Sequence, residues 1–117
     1  METALIILVL LQIKHWYIDF VNQSSDEIAH KGIYWDWRGV KHSLKHGAAT
    51  GVLLLFFVPF EWAYLMGVVD FILHYHIDWA KMNYGNRDIS TKAFWSHLGL
   101  DQMAHQLVYI FIVWILV

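Results

Sequence analysis

Seven pairs of histidine and aspartate stand four residues apart in this chain: His15/Asp19, Asp26/His30, His42/His46, Asp70/His74, His74/Asp78, His97/Asp101 and Asp101/His105. A separation of four places two side chains on one helical face, one turn apart. Random placement of the same fifteen residues gives about two such pairs, so the pattern favours helices that each carry a His/Asp face. Imidazole and carboxylate are nitrogen and oxygen donors suited to a divalent ion such as zinc, manganese or iron. Seven residues form the candidate metal set: His15, Asp19, His46, His74, Asp78, Asp101 and His105. Structural zinc takes about four ligands. Seven donors fit two ions bridged by a carboxylate, an arrangement that activates water for displacement at phosphoryl or acyl centres. They also fit one ion whose imidazoles give their other N–H to carboxylates. Spacing leaves both open, with zinc the first choice of metal.

His97, one turn before Asp101, is the candidate catalytic group: a partly exposed imidazole able to orient or protonate a leaving group. His97 and Asp70 also suit packing or orienting roles. His76 is two residues from both His74 and Asp78 and so points away from their face, toward an interhelical hydrogen bond or the membrane surface. Lys14 reads as a structural counter-ion.

The elements that carry these residues are apolar. The chain has 117 residues, 58% of them hydrophobic and 17% aromatic, with one proline and no cysteine. That is too apolar for a soluble domain of this size. The absence of cysteine excludes disulfides and thiolate ligands. A net charge of -2 without a basic tract argues against nucleic acid as a partner. Four stretches are long enough to cross a hydrocarbon core of ~30 Å, about 3–21, 42–58, 60–80 and 94–117. Pro59 separates the middle two, because it has no N–H for a continuing helix. The expected fold is all-α, a polytopic membrane protein forming one antiparallel four-transmembrane-helix bundle. The opening "MET" has no basic region and no cleavage site follows, so the first segment is expected to stay as a helix.

Lys31, Arg38, Lys41, Lys45, Lys81, Arg87 and Lys92 all belong to the first and third connections or the adjoining helix ends. Basic residues in short loops stay cytoplasmic, which places both termini and the Pro59 turn on the other side. Measured from the cytoplasmic ends at ~1.5 Å per residue, the polar pairs of all four helices fall at one level, within roughly 10 Å of the interface. A charge near the bilayer centre costs ~2.5–3.5 kcal/mol and almost always faces partners inside the bundle. A shared level therefore predicts one shared site. In the first connection, Ser24 to Glu27 forms a capping-box pattern for a short helix. In the third, Ser90 is placed to cap the last helix. "GAATG" at 47–51 allows close packing of two helix backbones.

"HWYIDF" near the start, a histidine entering the second helix, "HYHIDWAK" ending the third and "DQMAH" in the fourth resemble the small bacterial and phage membrane proteins grouped as domain-of-unknown-function family 3307. The resemblance implies a compact helical protein of a bacterial inner membrane or a phage, with no activity attached. Its motifs fall on His15, Asp19, His74, Asp78, Asp101 and His105, and either His42 or His46 fills the second-helix position. His46 is preferred because it lies nearer the level of the others. A looser architectural likeness is to small inner-membrane proteins described as metal-dependent hydrolases.

Three functions fit these residues. The first is a membrane-embedded metal-dependent hydrolase acting on a lipid or membrane-proximal ester, amide or phosphoester, with Trp35, Trp37 and Arg38 as an interfacial lid. The second is a proton or metal transport protein. The third is a metal-stabilised scaffold or accessory subunit. Association of identical copies is left open in all three. The chain has no nucleophile elbow, Walker loop, dinucleotide fingerprint or HExxH.

Overall fold

Four long helices and one short one make up the computed structural model, which describes residues 1–117. Helix α1 (Glu2–Trp16) has charges only at Glu2 and Lys14, and it runs directly into a π-helical turn over Tyr17–Val21. The Asn22 N–H reaches back to the Tyr17 carbonyl at 2.8 Å, five residues away. Such wide turns are rare and recur at functional sites; this one carries Asp19. Helix α2 (Ser25–His30) is short, and its start is sharply defined. The Ser24 hydroxyl accepts from the Glu27 N–H at 3.2 Å while the Glu27 carboxylate accepts from the Ser24 N–H at 3.1 Å, the reciprocal capping expected from the sequence.

Helix α3 (Trp37–Leu54) begins five residues before the expected position, since Asp36 caps it by accepting from the Arg38 N–H at 3.0 Å. It also ends earlier. Leu55 to Val58 form tight turns, because Pro59 disfavours helical geometry in the residue before it. Helix α4 (Phe60–Tyr84) starts directly after that proline. Helix α5 (Lys92–Leu116) is capped by Thr91, whose hydroxyl accepts from the Phe94 N–H. Ser90, the expected cap, is instead held by Asp88 in the preceding turn.

Helix α1 packs on α3 and α5, α3 on α4, and α4 on α5, which closes a four-membered ring. Neighbours run antiparallel, so the C-terminal end of α1 meets the N-terminal part of α3, the C-terminal part of α4 and the N-terminal part of α5. The α3–α4 contact is the closest. A Cβ on Gly47 would lie 2.6 Å from the Gly67 carbonyl oxygen, and one on Gly67 would lie 2.8 Å from that of Gly47. Only glycine permits this approach.

The interior divides along the bundle axis. One half is an apolar core of Ile7, Leu11, Leu54, Ala63, Met66, Tyr109, Ile112 and Val113. The other holds most of the thirteen buried polar or charged residues. The outside is the reverse, with Leu5, Val9, Phe56, Tyr64, Ile110 and Trp114 among many exposed large apolar side chains. Two elements are long and apolar enough to cross a membrane, Glu2–Val21 and Lys92–Leu116. The charged residues and histidines of α3 and α4 lower their mean hydropathy and keep those helices outside that description.

Candidate metal centre

Each long helix presents one pair of His or Asp residues, four apart, to the polar half. From α1 and its π turn come His15 and Asp19; from α3, His42 and His46; from α4, His74 and Asp78; from α5, Asp101 and His105. All eight are at most 7% exposed. The seven expected donors are thus brought together with His42, so that both second-helix histidines take part. The rings of His46, His74 and His105 stack in a column across three helices, with centroids 3.7 and 4.1 Å apart. His15 lies 5.0–5.9 Å from all three.

Two donor groups overlap in this cluster. The first is Asp19, His42, His46 and His74; the second is His74, Asp78 and His105. Asp19 Oδ1 lies 2.7 Å from His46 Nε2, 3.0 Å from His42 Nε2 and 3.7 Å from His74 Nε2. The Nε2 atoms of His42 and His74 face each other at 3.3 Å. Asp78 spans the two groups: its Oδ2 is 3.4 Å from His42 and 3.2 Å from His74, while its Oδ1 is 3.1 Å from His105. Asp101 Oδ1 stands 3.4 Å from the same His105 nitrogen.

These separations suit a small ion. Tetrahedral bonds of about 2.0–2.1 Å put ligand atoms roughly 3.3–3.4 Å apart, close to the spacing of the His42, His74, Asp19 and Asp78 atoms. Four buried atoms of the cluster have no hydrogen-bond partner: His42 Nδ1, His74 Nδ1, Asp78 Oδ2 and Asp101 Oδ1. Charge points the same way. Asp70 pairs with Lys14 at 3.0 Å, Asp78 with Lys31 at 3.4 Å, Glu27 with Lys45 at 2.7 Å and Asp101 with Lys81 at 3.7 Å. Asp19 alone among the buried carboxylates has only imidazoles as its ionic partners. A buried carboxylate needs a positive partner, which protonated imidazole or a bound cation would supply.

A different pattern of bonding surrounds His15 and His46. Asp101 Oδ2 accepts from the Gln102 amide nitrogen at 3.0 Å, which turns the Gln102 carbonyl toward His15 Nε2 at 2.8 Å. An amide oxygen only accepts, so this Nε2 donates and His15 Nδ1 accepts from the Tyr109 hydroxyl at 2.8 Å. The Tyr109 oxygen in turn accepts from Lys14 Nζ at 3.1 Å. The same ammonium donates to Asp70 at 3.0 Å and to His46 Nδ1 at 3.1 Å. Lysine offers no acceptor, so His46 donates through Nε2 to Asp19. The Thr50 hydroxyl donates to Asp70 and completes this layer. Lys14 is therefore a counter-ion, as the sequence suggested, and it also sets the orientation of two histidines.

Helix α2 closes the outer end of the cluster, with Glu27 and Lys31 both buried. Burial opposes the charge on Glu27, but bonds from Lys45 and the Ser24 N–H hold its carboxyl below the usual range. Burial likewise opposes the Lys31 ammonium, and the carboxylates of Asp78, Asp19 and Asp101 outweigh it, raising its pKa above the ordinary lysine value. The loop residues expected as a lid lie elsewhere. The Trp35 N–H donates to the Tyr75 hydroxyl at 2.6 Å with its ring stacked on Tyr75, its backbone at a left-handed φ of 62°. Trp37 is exposed at the start of α3, and Arg38 forks onto Asp36 at 2.8–2.9 Å.

His97 lies outside the donor cluster. Its Nδ1 accepts from the Asn86 N–H at 2.8 Å, and it lines a groove of about 380 Å³ that also touches Asp101. His76 meets the Tyr34 hydroxyl at 3.0 Å, a contact to the turn between α2 and α3 rather than the interhelical bond expected. Glu27, Lys31, Gln102 and Tyr109 were not singled out from the sequence. For Glu27 the capping box was legible, but nothing local showed that a capping carboxylate would also be buried.

The fold and the cluster define an all-helical bundle with apolar outer faces and a buried His/Asp centre in one half. Residues 7–117 match the family described as protein of unknown function DUF3307, and the chain belongs to that family. No curated protein and no solved structure matches it.

Proposed function

We propose that this protein is a membrane-embedded metal-dependent hydrolase with a mono- or binuclear centre near the cytoplasmic face. Its substrate is a lipid or other membrane-proximal ester, amide or phosphoester. The observation that carries the reading is the pair of overlapping donor groups that share His74 and are spanned by the two oxygens of Asp78. Support for four membrane spans comes from the distribution of side chains, apolar outside and polar within, since lipid exposes what water would bury. The basic residues gathered at one end favour a cytoplasmic position for that end, with both termini on the far side.

In this reading Asp19, His42, His74, Asp78, Asp101 and His105 would hold one or two divalent ions, with zinc the first choice. Of the two other histidines expected as ligands, His46 orients Asp19 by donating Nε2–H to Oδ1 at 2.7 Å, while His15, whose Nε2–H goes to Gln102, lies with that nitrogen 3.2 Å from Oδ2. Carboxylates held in this way fix ligand direction. A bound ion supplies Lewis acidity, polarising a carbonyl or phosphoryl oxygen and acidifying water. His97 orients the substrate or protonates the leaving group from the groove.

Two variants test the roles. Asp101→Asn should lose metal, measured by elemental analysis of detergent-purified protein. His97→Gln should keep metal and lose turnover on a panel of phospholipid, lipid-phosphate and acyl-amide substrates. The closed surroundings of Asp19, His42, His46 and His74 favour a second reading, a metal-stabilised scaffold. Stoichiometric metal in the native protein with no turnover on any member of the panel would decide for the scaffold. Transport is disfavoured, because the polar layer stops at Lys14, Asp70 and Tyr109 and the apolar core beyond it offers no polar path.

A further inference from the structure

The donor cluster is sealed by α2 at its outer end, yet one of its members reaches a surface groove between α4 and α5. Asp101 lines this groove with its side chain 1% exposed, its Oδ1 turned to His105 at 3.4 Å and its Oδ2 3.7 Å from Lys81. The groove changes character along its length. Ile77, Ala80, Leu100 and Ala104 make one stretch apolar. Lys81 and His97 line the other stretch and are shared with an adjoining pocket of about 160 Å³ that adds Arg87 and Asn86. His97 uses Nδ1 to accept from Asn86, which leaves Nε2–H as a free donor. Arg87 is anchored by two of its nitrogens on the Met82 carbonyl, at 3.0 and 2.6 Å, leaving its remaining nitrogen free.

We infer that this groove binds a phosphate-headed lipid, the phosphate against Lys81, Arg87 and His97 and an acyl chain along Ile77, Leu100 and Ala104. Two features select this occupant over a protein segment. Cationic donors suit an anion with several acceptor oxygens, and they sit at the basic end of the bundle, the level of lipid headgroups. The apolar stretch lies on an outer face between two helices, where a lipid chain reaches it without leaving the bilayer. A lipid so placed holds the bonds next to its phosphate beside His97, at the wall behind which Asp101 is buried. This identifies the substrate class of the proposed hydrolase and rests on that reading.

Native mass spectrometry of the full-length protein, stripped of metal by a chelator, measures binding without turnover. Phosphatidic acid, diacylglycerol and inorganic phosphate are titrated separately, and elemental analysis of the unstripped sample runs in parallel. Phosphatidic acid should bind at one molecule per chain, about tenfold or more tighter than either of the others, as expected when both parts of the groove contribute. Lys81→Gln combined with Arg87→Gln should weaken phosphatidic acid about tenfold and leave diacylglycerol unchanged. Ala104→Trp should block both lipids, and Ala80→Leu on the opposite wall serves if that variant does not fold. Gly99→Ala, whose added Cβ meets nothing within 4 Å, should bind as the native chain does. Equal binding of diacylglycerol, saturation by phosphate alone at the same concentration, or no effect of filling the groove overturns the inference. Lipid binding in a protein that never carries metal overturns the hydrolase and keeps the groove; metal without selective lipid binding does the reverse.

Discussion

The same four helices build two halves that cohere for different reasons. In the apolar half, Ile7, Leu11, Leu54, Met66 and Ile112 touch through non-directional contacts. Such contacts depend on shape and close packing rather than on direction. In the polar half, each helix is tied to others by directed bonds: Asp19 to His42 and His46 on α3, Asp78 to His105 on α5, Lys14 to Asp70 on α4 and Tyr109 on α5. A buried donor or acceptor that loses its partner costs far more than a lost methyl contact. The polar half should therefore define the relative rotation of the helices, while the apolar half tolerates substitution.

Asp19→Ala should have the largest effect, because it removes the one carboxylate shared by four imidazoles. Loss of bound metal and a destabilisation of about 3–5 kcal/mol are expected, read by elemental analysis and a denaturation midpoint in detergent. Metal retained at full stoichiometry would show that Asp19 is not a ligand. Leu54→Ala, in the apolar half, should cost about 2 kcal/mol, the low end for large-to-small core changes, with metal content unchanged. A loss of metal there would erase the distinction between the halves.

Tyr109→Phe probes the seam, since the ring belongs to the apolar core and the hydroxyl to the polar layer. Removing the hydroxyl should cost about 1 kcal/mol and weaken metal binding about tenfold through the freed His15, measured by competition with a chelator. Ile110→Ala, on an exposed outer face, should stay within about 0.5 kcal/mol and leave metal unchanged. A larger effect would show that this face is covered by protein, for example by a second copy of the chain.

Much of this was legible in local spacing. A helix repeats every 3.6 residues, so residues four apart had to share a face, and the pairs on all four long helices do meet. The level of the cluster followed from the distance of each pair to its basic loop. The Pro59 break, the Ser24/Glu27 capping box and the close-packing role of Gly47 were also visible, because each depends on a few adjacent residues. The ends of α3 were not, since the Asp36 cap starts the helix before the apolar run at 42–58 and the turns ahead of Pro59 end it inside that run.

What the tertiary structure alone decided concerns partners far apart in the chain. Lys14 meets Tyr109 across 95 residues and His15 meets Gln102 across 87, and these contacts orient His15 and His46. Whether His42 or His46 enters the cluster depends on the rotation of α3 about its axis, and the structure admits both. The π turn at Tyr17–Val21 carries Asp19 to the point where the imidazoles of α3 and α4 converge, and no residue in "YIDFV" announces it. That α2 folds Glu27 and Lys31 over the end of the bundle, and that a groove between α4 and α5 touches Asp101, also depend on contacts between distant residues. Periodicity is a property of one helix and is written in its sequence. The matching of donors to acceptors is a property of four helices at once, and it exists only after they have packed.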